Sequence, residues 1–253
     1  MTGDRSPMRI VGVIPSRYAS TRLPGKSLIP LLGKPLVQWV YERAAQATRL
    51  DRILVATDDQ RIAEVVTGFG GEVVMTRADH PSGTDRIAEA VAGLSPDVVV
   101  NIQGDEPLIS PDLIDQLAES LVADPSLDMA TAASPIQSRE ELESPSIVKV
   151  VWGEGQTALY FSRSPIPHHR DSGGGWVPDL HWRHIGVYAY RGVFLQKIVQ
   201  KPPCTLEKAE MLEQLRALDM GGRIKVLPTH EFSIGVDVEA DIPMAEKMLR
   251  KIV

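Results

Sequence analysis

Short runs of apolar, β-branched residues alternate along the first half of the chain with segments whose apolar positions recur every three or four residues. Such runs are typical of buried strands, and the spaced segments are typical of amphipathic helices. The predicted strands cover residues 10–14, 52–57, 72–76 and 97–102. The predicted helices carry Leu36, Ile62, Ile87 and Leu113 on their apolar faces. Successive βα units predict a parallel, doubly wound sheet with right-handed crossovers.

The second half of the chain is less regular. Its predicted strands cover residues 129–135, 147–152, 160–163, 185–191 and 223–227, with an acidic turn at 140–143. A helix capped by Thr205 is predicted to run to about Met220, and a last helix is predicted after Asp237. The long loop at 165–179, rich in Pro, His and Gly, is of a length that is usually functional or mobile.

The fold class that these elements predict is α/β. We expect a Rossmann-like arrangement in which a central, mostly parallel sheet is flanked by helices, with a smaller mixed lobe that contains strands. The whole chain of 253 residues is predicted to be a single domain with two halves, at about 9–124 and 125–253.

Composition narrows the range of functions. A net charge of -6 argues against general nucleic-acid binding, which needs a basic face. Cys204 is the only cysteine, which excludes an internal disulfide and a cysteine-built zinc site and fits a reducing cytoplasm. No apolar run approaches the roughly 20 residues of a membrane span. We therefore expect a cytoplasmic protein without a nucleic-acid or membrane partner.

A basic loop follows the first strand. Arg17, Arg22 and Lys26 fall within ten residues, among Ser, Thr and Gly. In open α/β sheets, ligands bind beyond the carboxyl ends of the strands. Arginine can hold phosphate oxygens bidentately, and lysine can act as a point charge. The arrangement predicts a polyphosphate site, although a solvated basic loop without a special role is the alternative.

The basic loop matches neither of two common glycine-rich phosphate motifs. Ser20 stands where the first glycine of GxxxxGK[ST] would be, and Pro24 lacks an N–H that could bind phosphate. No GxGxxG follows the strand, so a dinucleotide site has no support. Cationic side chains are therefore expected to do the work of backbone amides.

Acidic residues follow the most hydrophobic strand. Gln103 and Asp105 lie directly after residues 98–102, so Asp105 is expected to project toward the basic loop. A second candidate is Asp237, which also follows an apolar run. Carboxylates beside polyphosphate favour Mg²⁺, which usually binds one or two carboxylates together with substrate phosphates. Taken alone, either residue is more typical of a turn or a helix N-cap.

Several motifs together resemble one known family. In chain order they read RYASTRLPGK, ATDD, MTRADHPSGTDR, NIQGDEP, ALYFSRSPIP, HIGVYAYR, EMLEQLR and GVD. They resemble 3-deoxy-manno-octulosonate cytidylyltransferase, also called CMP-Kdo synthetase, from about Arg9 to Val253. The resemblance implies a nucleotidyltransferase fold and the coupling of CTP to Kdo, with Mg²⁺, giving CMP-Kdo and pyrophosphate for lipopolysaccharide synthesis. It also implies a homodimer formed through the second half, the half that also binds the sugar and completes the metal site.

The resemblance assigns residues to CTP and to the metal ion. Arg17 and Lys26 would bind the phosphates, and Asp105 and Asp237 would hold Mg²⁺; these four form the predicted catalytic set. The other residues that it places near CTP are Ser16, Arg22, Thr76, Arg77, Ser82 and Gly83. For Ser82, a plain helix cap is the alternative, and both roles are compatible.

For the acidic sugar, the resemblance indicates a further set of residues. These are Gln103, Arg163, His184, Tyr188, Glu213 and Gln214. His184 and Tyr188 are expected to face one side of a strand, and Glu210, Glu213 and Gln214 are expected to share one helix face. Without the resemblance, His184 would be interpreted as a structural histidine. Arg163 could equally be a carboxylate-binding residue or a surface arginine. The helix face with Glu210, Glu213 and Gln214 would be interpreted as solvated.

The chain departs from the family pattern after Asp237. Val238-Glu239-Ala240-Asp241 stands where the family often has Thr-Pro-Glu-Asp. Two other functions stay open: a nucleotidyltransferase for another sugar, such as a sialic acid or an amino variant of Kdo, and a catalytically silent nucleotide-binding regulator. The charged site residues argue against the second of these.

Overall fold

The computed structural model of the chain describes residues 8–19, 23–230 and 235–252. Its strands are β1 (Ile10–Ser16), β2 (Pro30–Leu31), β3 (Lys34–Pro35), β4 (Arg52–Thr57), β5 (Glu72–Met75), β6 (Val98–Asn101), β7 (Met129–Pro135), β8 (Lys149–Trp152), β9 (Ala158–Ser162), β10 (Trp182–Arg191) and β11 (Ile224–Pro228). Its helices are α1 (Leu36–Ala44), α2 (Gln60–Gly68), α3 (Gly83–Val91), α4 (Pro111–Ala123), α5 (Arg139–Glu143), α6 (Gly192–Ile198), α7 (Thr205–Glu210), α8 (Gln214–Asp219) and α9 (Ile242–Leu249).

The main sheet has the strand order β11-β7-β10-β6-β1-β4-β5. The four strands that the first half contributes to this sheet, β6, β1, β4 and β5, are parallel, and β11 is parallel to β7. Strand β10 lies between β6 and β7 and is antiparallel to both. The predicted fold class, α/β with a mostly parallel sheet, is therefore confirmed.

Helices cover the sheet on both faces, because its central strands are apolar on both sides. On one face Leu36 and Leu117, from α1 and α4, are fully buried against Ile14 and Val100. On the other face the core includes Ile87 of α3 together with residues of α6 and α8.

Polar caps fix where three of the helices of the first half, α2, α3 and α4, begin. Asp59 caps α2, Ser82 caps α3, and Ser110 caps α4, where Pro111 occupies the first turn. Each side-chain oxygen accepts a hydrogen bond from a backbone N–H that would otherwise lack a partner. The predicted cap and proline pair at residues 110 and 111 is confirmed.

The single helix predicted over 205–220 is wrong. The structure has two short helices, α7 and α8, separated by Met211 in the left-handed conformation (φ 53°). The N-cap is Cys204 rather than Thr205, since the Cys204 sulfur accepts from the Glu207 N–H and the Glu207 carboxylate accepts from the Cys204 N–H.

Other elements differ from the sequence-based expectation in kind or extent. Residues 139–143 form α5, capped by Ser138, rather than only an acidic turn. Helix α6 and the β2–β3 pair were not predicted, and β10 begins at Trp182 rather than Ile185.

The β8–β9 pair forms the small antiparallel extension of the sheet, attached to β10 through Lys149 and Arg183. Lys149 is fully buried, and its ammonium donates to the carbonyls of Ser144, Ile147 and Arg163. The division into two halves stays a prediction. Among the described residues, no helix is long and apolar enough to cross a bilayer.

Candidate functional site

A cavity of about 300 Å³ opens beyond the carboxyl ends of β1 and β6. These strands are parallel neighbours, with Val13 opposite Asn101, so the loops that follow them meet. The cavity is lined by Pro15, Ser16, Arg17, Lys26, Ser27, His80, Ser82, Gly83, Arg86, Gln103, Gly104, Asp105 and Asp237. The basic loop and the acidic residues that the sequence singled out therefore share one site.

The ammonium of Lys26 links the two candidate metal ligands. Lys26 Nζ lies 2.5 Å from Asp105 Oδ2 and 3.0 Å from Asp237 Oδ1. Burial alone would lower the pKa of Lys26, but the charge of Asp105 and the hydrogen bonds to both carboxylates raise it overall. Lys26 is therefore held as a cation at the point where the carboxylates converge.

Backbone contacts hold the carboxylates in place. The Val236 N–H donates to the Asp105 carbonyl over 2.8 Å, which ties the two acidic segments together. Asp241 Oδ2 accepts from the backbone N–H of Asp237 and of Val238. Asp241 matches the last residue of the family's Thr-Pro-Glu-Asp pattern. Its hydrogen bonds fix the turn after Asp237, although this chain lacks the proline of that pattern.

The turns around the cavity need small residues. A Cβ on Gly104 would lie 2.7 Å from the Pro15 carbonyl oxygen and 3.2 Å from Ser16 Oγ. Gly25, which precedes Lys26, has a φ of 69°, a conformation that side chains rarely adopt. Gly104 lets the loop after β6 approach the end of β1, and Gly25 lets the chain turn before Lys26.

Two of the residues predicted to bind CTP, Thr76 and Arg77, do not line this cavity. Thr76 is buried and accepts a hydrogen bond from Arg86, which itself lines the cavity and pairs with Asp58. Arg77 is largely exposed and lies near Asp79 and Glu89. Arg22 lies outside the described residues. Their roles stay predictions.

A second cavity of about 310 Å³ holds three residues predicted to bind the sugar. It is lined by Ser146, Ile147, Val148, Arg183, His184, Gly186, Tyr188, Leu212 and Gln214. The rings of His184 and Tyr188 lie 5.3 Å apart, so they share a side of β10 as expected. The Gln103 amide lines the first cavity and donates to the Gly186 carbonyl, so the two cavities are neighbours.

His184 is a neutral ring in a largely apolar setting. It packs edge-on against Phe161, and its Nε2 lies 2.9 Å from Thr131 Oγ1. Burial lowers the pKa of His184 to about 3. The ring can exchange hydrogen bonds at neutral pH but does not carry a positive charge.

Glu213 is the half-buried end of a hydrogen-bonded set whose other members, Thr84, Asn101 and Tyr190, are buried. Its carboxylate accepts a hydrogen bond from Thr84 Oγ1. The Tyr190 hydroxyl hydrogen bonds with Thr84 and Asn101, and burial together with the charge of Glu213 raises its pKa. This set joins α3, β6 and β10 to the start of α8.

Arg163 is placed away from both cavity walls. Its guanidinium donates to the carbonyls of Glu210, Pro145 and Met211. The prediction that Glu210, Glu213 and Gln214 share a helix face is wrong, because the chain turns at Met211. Glu210 instead accepts from Ser162 and from the Arg163 N–H.

Sequence reasoning also missed cavity residues. His80, Arg86 and Gly104 line the first cavity but were not assigned a role. His80 and Arg86 lie in the quoted stretch MTRADHPSGTDR, so the signal available was their place beside Ser82 and Gly83.

The site fits a divalent cation bound together with a phosphorylated ligand. Among the residues that the structure describes, no group of three or more His, Cys, Asp or Glu side chains could hold a metal by itself. Asp105 and Asp237 supply two converging carboxylates, and the buried Ser16 Oγ lacks a hydrogen-bond partner within the described ranges. Mg²⁺ commonly binds one or two carboxylates and takes its other ligands from phosphates and water.

Comparison with known proteins identifies the family. The cytidylyltransferase family model matches residues 11–224. The chain belongs to the cytidylyltransferase family. A protein of Syntrophotalea carbinolica named 3-deoxy-manno-octulosonate cytidylyltransferase is 50% identical over 96% of this chain and 99% of its own length. One of the same name from Syntrophobacter fumaroxidans is 52% identical over 93% of this chain and 94% of its own.

A solved structure supports the same family assignment. The structure of CMP:2-keto-3-deoxy-manno-octonic acid synthetase complexed with CTP has a TM-score of 0.91 and 42% sequence identity. The match covers 97% of this chain and 100% of that one. The family that the sequence motifs resemble is thereby confirmed.

Proposed function

We propose that this protein couples CTP to 3-deoxy-manno-octulosonate, giving CMP-Kdo and pyrophosphate. The observation that carries the proposal is the meeting of Lys26, Asp105 and Asp237 in a cavity that Arg17 also lines, in a member of the cytidylyltransferase family. Near-full-length relatives of about half-identical sequence carry this activity in their names.

In the reaction, the anomeric hydroxyl of the sugar attacks the α-phosphorus of CTP. The new bond joins the sugar oxygen to phosphorus, the bond to the bridging oxygen breaks, and pyrophosphate leaves while the hydroxyl proton passes to solvent. Such a transfer depends mainly on alignment and charge neutralisation, and needs no protein nucleophile.

The phosphates of CTP bind at the basic end of the site. Arg17 can contact phosphate oxygens bidentately, and Lys26 can turn from the carboxylates toward the leaving pyrophosphate. Ser16, Ser27 and the loop around Gly83 offer further polar groups. Together they orient the α-phosphate and neutralise the charge that develops on the leaving group.

Asp105 and Asp237 are the residues that would hold Mg²⁺. When bound there, the ion would neutralise phosphate charge and lower the pKa of the sugar hydroxyl. The protein's own contribution is to fix both carboxylates through the bond between Val236 and Asp105 and through the turn at Asp241.

The sugar binds in the neighbouring cavity. His184, Tyr188 and Gln214 supply hydrogen-bonding groups there, and Gln103 lies between the two cavities. Arg183 lines the same cavity and gives a cation for an acidic sugar. The carbonyl contacts of Arg163 support an indirect role for this residue, in shaping the turn around Met211.

The proposal includes a cytoplasmic homodimer. The single cysteine fits a reducing compartment. Leu159 on β9 is 65% exposed, and among the strands that the structure describes β9 pairs with β8 alone, so this edge supports an interface in the second half. Sedimentation of the protein, alone and as Leu159→Lys, tests the dimer: a monomeric wild type would contradict it.

Pyrophosphate release tests the reaction. The assay uses Mg²⁺, CTP and Kdo, with UTP, ATP and a sialic acid as controls. We expect release only with CTP and Kdo. Pyrophosphate release with another sugar would mean that the enzyme is a nucleotidyltransferase of different sugar specificity. CTP binding without pyrophosphate release for any pair of substrates would favour a silent regulator.

A further inference from the structure

His80 lines the nucleotide cavity but has no part in the mechanism above. It lies in the loop between β5 and α3, next to Ser82 and Gly83, which line the same cavity. Its side chain is only 5% exposed. A buried imidazole on the wall of a binding cavity must either bind the ligand or be satisfied by the protein.

One ring nitrogen of His80 is satisfied by Glu89 of α3. His80 Nε2 contacts Glu89 Oε2, and the same carboxylate oxygen accepts from the Arg77 N–H over 3.2 Å. Burial alone would raise the pKa of Glu89, but the hydrogen bonds from His80 and Arg77 lower it overall. The charged carboxylate can only accept hydrogen bonds, so Nε2 carries the proton.

The other ring nitrogen, Nδ1, is the one that remains for a ligand. In a neutral imidazole with its proton on Nε2, the Nδ1 atom has a free lone pair. No hydrogen bond joins Nδ1 to any residue within 8–19, 23–230 or 235–252. The contact with Glu89 also fixes the orientation of the His80 ring, so rotation of the ring cannot exchange the positions of Nδ1 and Nε2.

His80 lies on the side of the cavity away from the carboxylates. A Cβ on Gly83 would lie 3.8 Å from Pro15, and a Cβ on Gly104 would lie 2.7 Å from the Pro15 carbonyl. The end of β1 therefore separates the His80 loop from the loop of Asp105. Since the triphosphate belongs with Lys26 and Asp105, the base belongs on the side of His80.

We propose that His80 selects the base of the nucleotide: Nδ1 accepts a hydrogen bond from the exocyclic amino group of cytosine, and Glu89 fixes the tautomer that makes this possible. This inference rests on the proposed function. Uracil presents a carbonyl oxygen at the same position, so two acceptors would face each other in a desolvated site. A site built to bind one hydrogen-bonding group rejects the analogue that lacks it.

The test compares kcat/KM for CTP and UTP, with Kdo as the second substrate. His80→Phe keeps the ring but removes the acceptor, and Glu89→Gln keeps the ring but frees its tautomer. We expect the CTP to UTP ratio to fall at least about tenfold in both, through loss of CTP turnover, as for one lost hydrogen bond. Asp79→Asn, in the same loop but exposed, is the matched control and should keep the wild-type ratio.

The results of this test separate failure of the role of His80 from failure of the proposed function. Equal losses with CTP and UTP, or an unchanged ratio, in a folded variant would overturn the role of His80. If His80→Phe does not fold, the ratio in Glu89→Gln decides alone. A wild type that does not turn over CTP with Kdo would overturn the proposed function itself, whereas a CTP-selective wild type with equally selective variants overturns only this inference.

Discussion

Lys26 Nζ lies 2.5 Å from Asp105 Oδ2, so a protein cation already occupies the place next to the carboxylate where a metal ion would bind. A second carboxylate, from Asp237, contacts the same ammonium. The proposed Mg²⁺ would therefore compete with the lysine for these carboxylates, and the arriving phosphates would offer the lysine another partner. Metal and nucleotide are expected to bind together rather than separately.

Removing this lysine is expected to strengthen metal binding in the absence of nucleotide. Without the ammonium, Asp105 and Asp237 lose a cation that both of them contact, so Lys26→Met should bind free Mg²⁺ at least about tenfold more tightly than the wild type. Calorimetric titration without CTP measures this. Lys34→Met, which removes a cation paired with Glu42 elsewhere, is the control. Equal Mg²⁺ affinity in wild type and Lys26→Met would contradict the competition between Mg²⁺ and Lys26.

Neutralising either acidic residue is expected to abolish most turnover while the fold survives. Asp105→Asn and Asp237→Asn keep the side-chain shape but remove the charge that a hard cation needs, so kcat should fall by at least about a hundredfold. Thermal melting should stay close to wild type, because both side chains are partly exposed. Near-normal rates in either variant would remove that residue from the metal site.

The hydrogen bonds that link Tyr190, Thr84 and Glu213 are expected to affect the KM for the sugar and not the KM for the nucleotide. Tyr190→Phe removes the hydroxyl that hydrogen bonds with Thr84 and Asn101, and Thr84 in turn holds the Glu213 carboxylate. The KM for Kdo should rise about five- to tenfold, with the KM for CTP unchanged. Tyr41→Phe, on α1 away from both cavities, should alter neither value. A rise in both values for Tyr190→Phe would instead indicate general loosening of the site.

Stability is expected to fall in mild acid because of His184. Its pKa is lowered from 6.5 to about 3 by burial, so the unfolded chain takes up a proton at a pH where the folded chain does not. Stability from this residue is complete above about pH 6.5 and declines as the pH falls toward 3. At pH 5 the loss is about 2 kcal/mol relative to neutral pH.

Urea unfolding of wild type and His184→Gln at pH 7.5 and pH 5 measures this effect. The variant should be less stable at neutral pH but should lose less stability on acidification. His168→Gln, at an exposed position, should keep the wild-type dependence. An identical acid sensitivity in wild type and His184→Gln would contradict the lowered pKa.

The sequence predicted the first half of the fold well because its signals are local. Apolar runs, polar caps and the pair of Ser110 and Pro111 act within a few residues, so β1, β4 and β6 and their helices were placed correctly. The proximity of the basic loop and Asp105 could be predicted because the carboxyl ends of parallel strands meet at one edge of the sheet.

The second half depends on contacts that the local pattern does not carry. The helix breaks at Met211, a residue without intrinsic preference for positive φ, and this break sends Glu210 toward Arg163 and Glu213 toward Thr84. Likewise, nothing in the spacing of His80 and Glu89 indicates that an imidazole proton is fixed by a helix carboxylate. Such pairings are decided by tertiary packing.

The bond between Val236 and Asp105 fastens to the site a segment that lies beyond the last strand of the sheet. Lys26 and Asp237 are 211 positions apart, and each strand described above ends before Asp237 is reached. A chain that stopped at Pro228 would contain every strand of the sheet, yet it would carry only one of the two carboxylates. The scaffold and the complete set of site residues therefore depend on different parts of the chain.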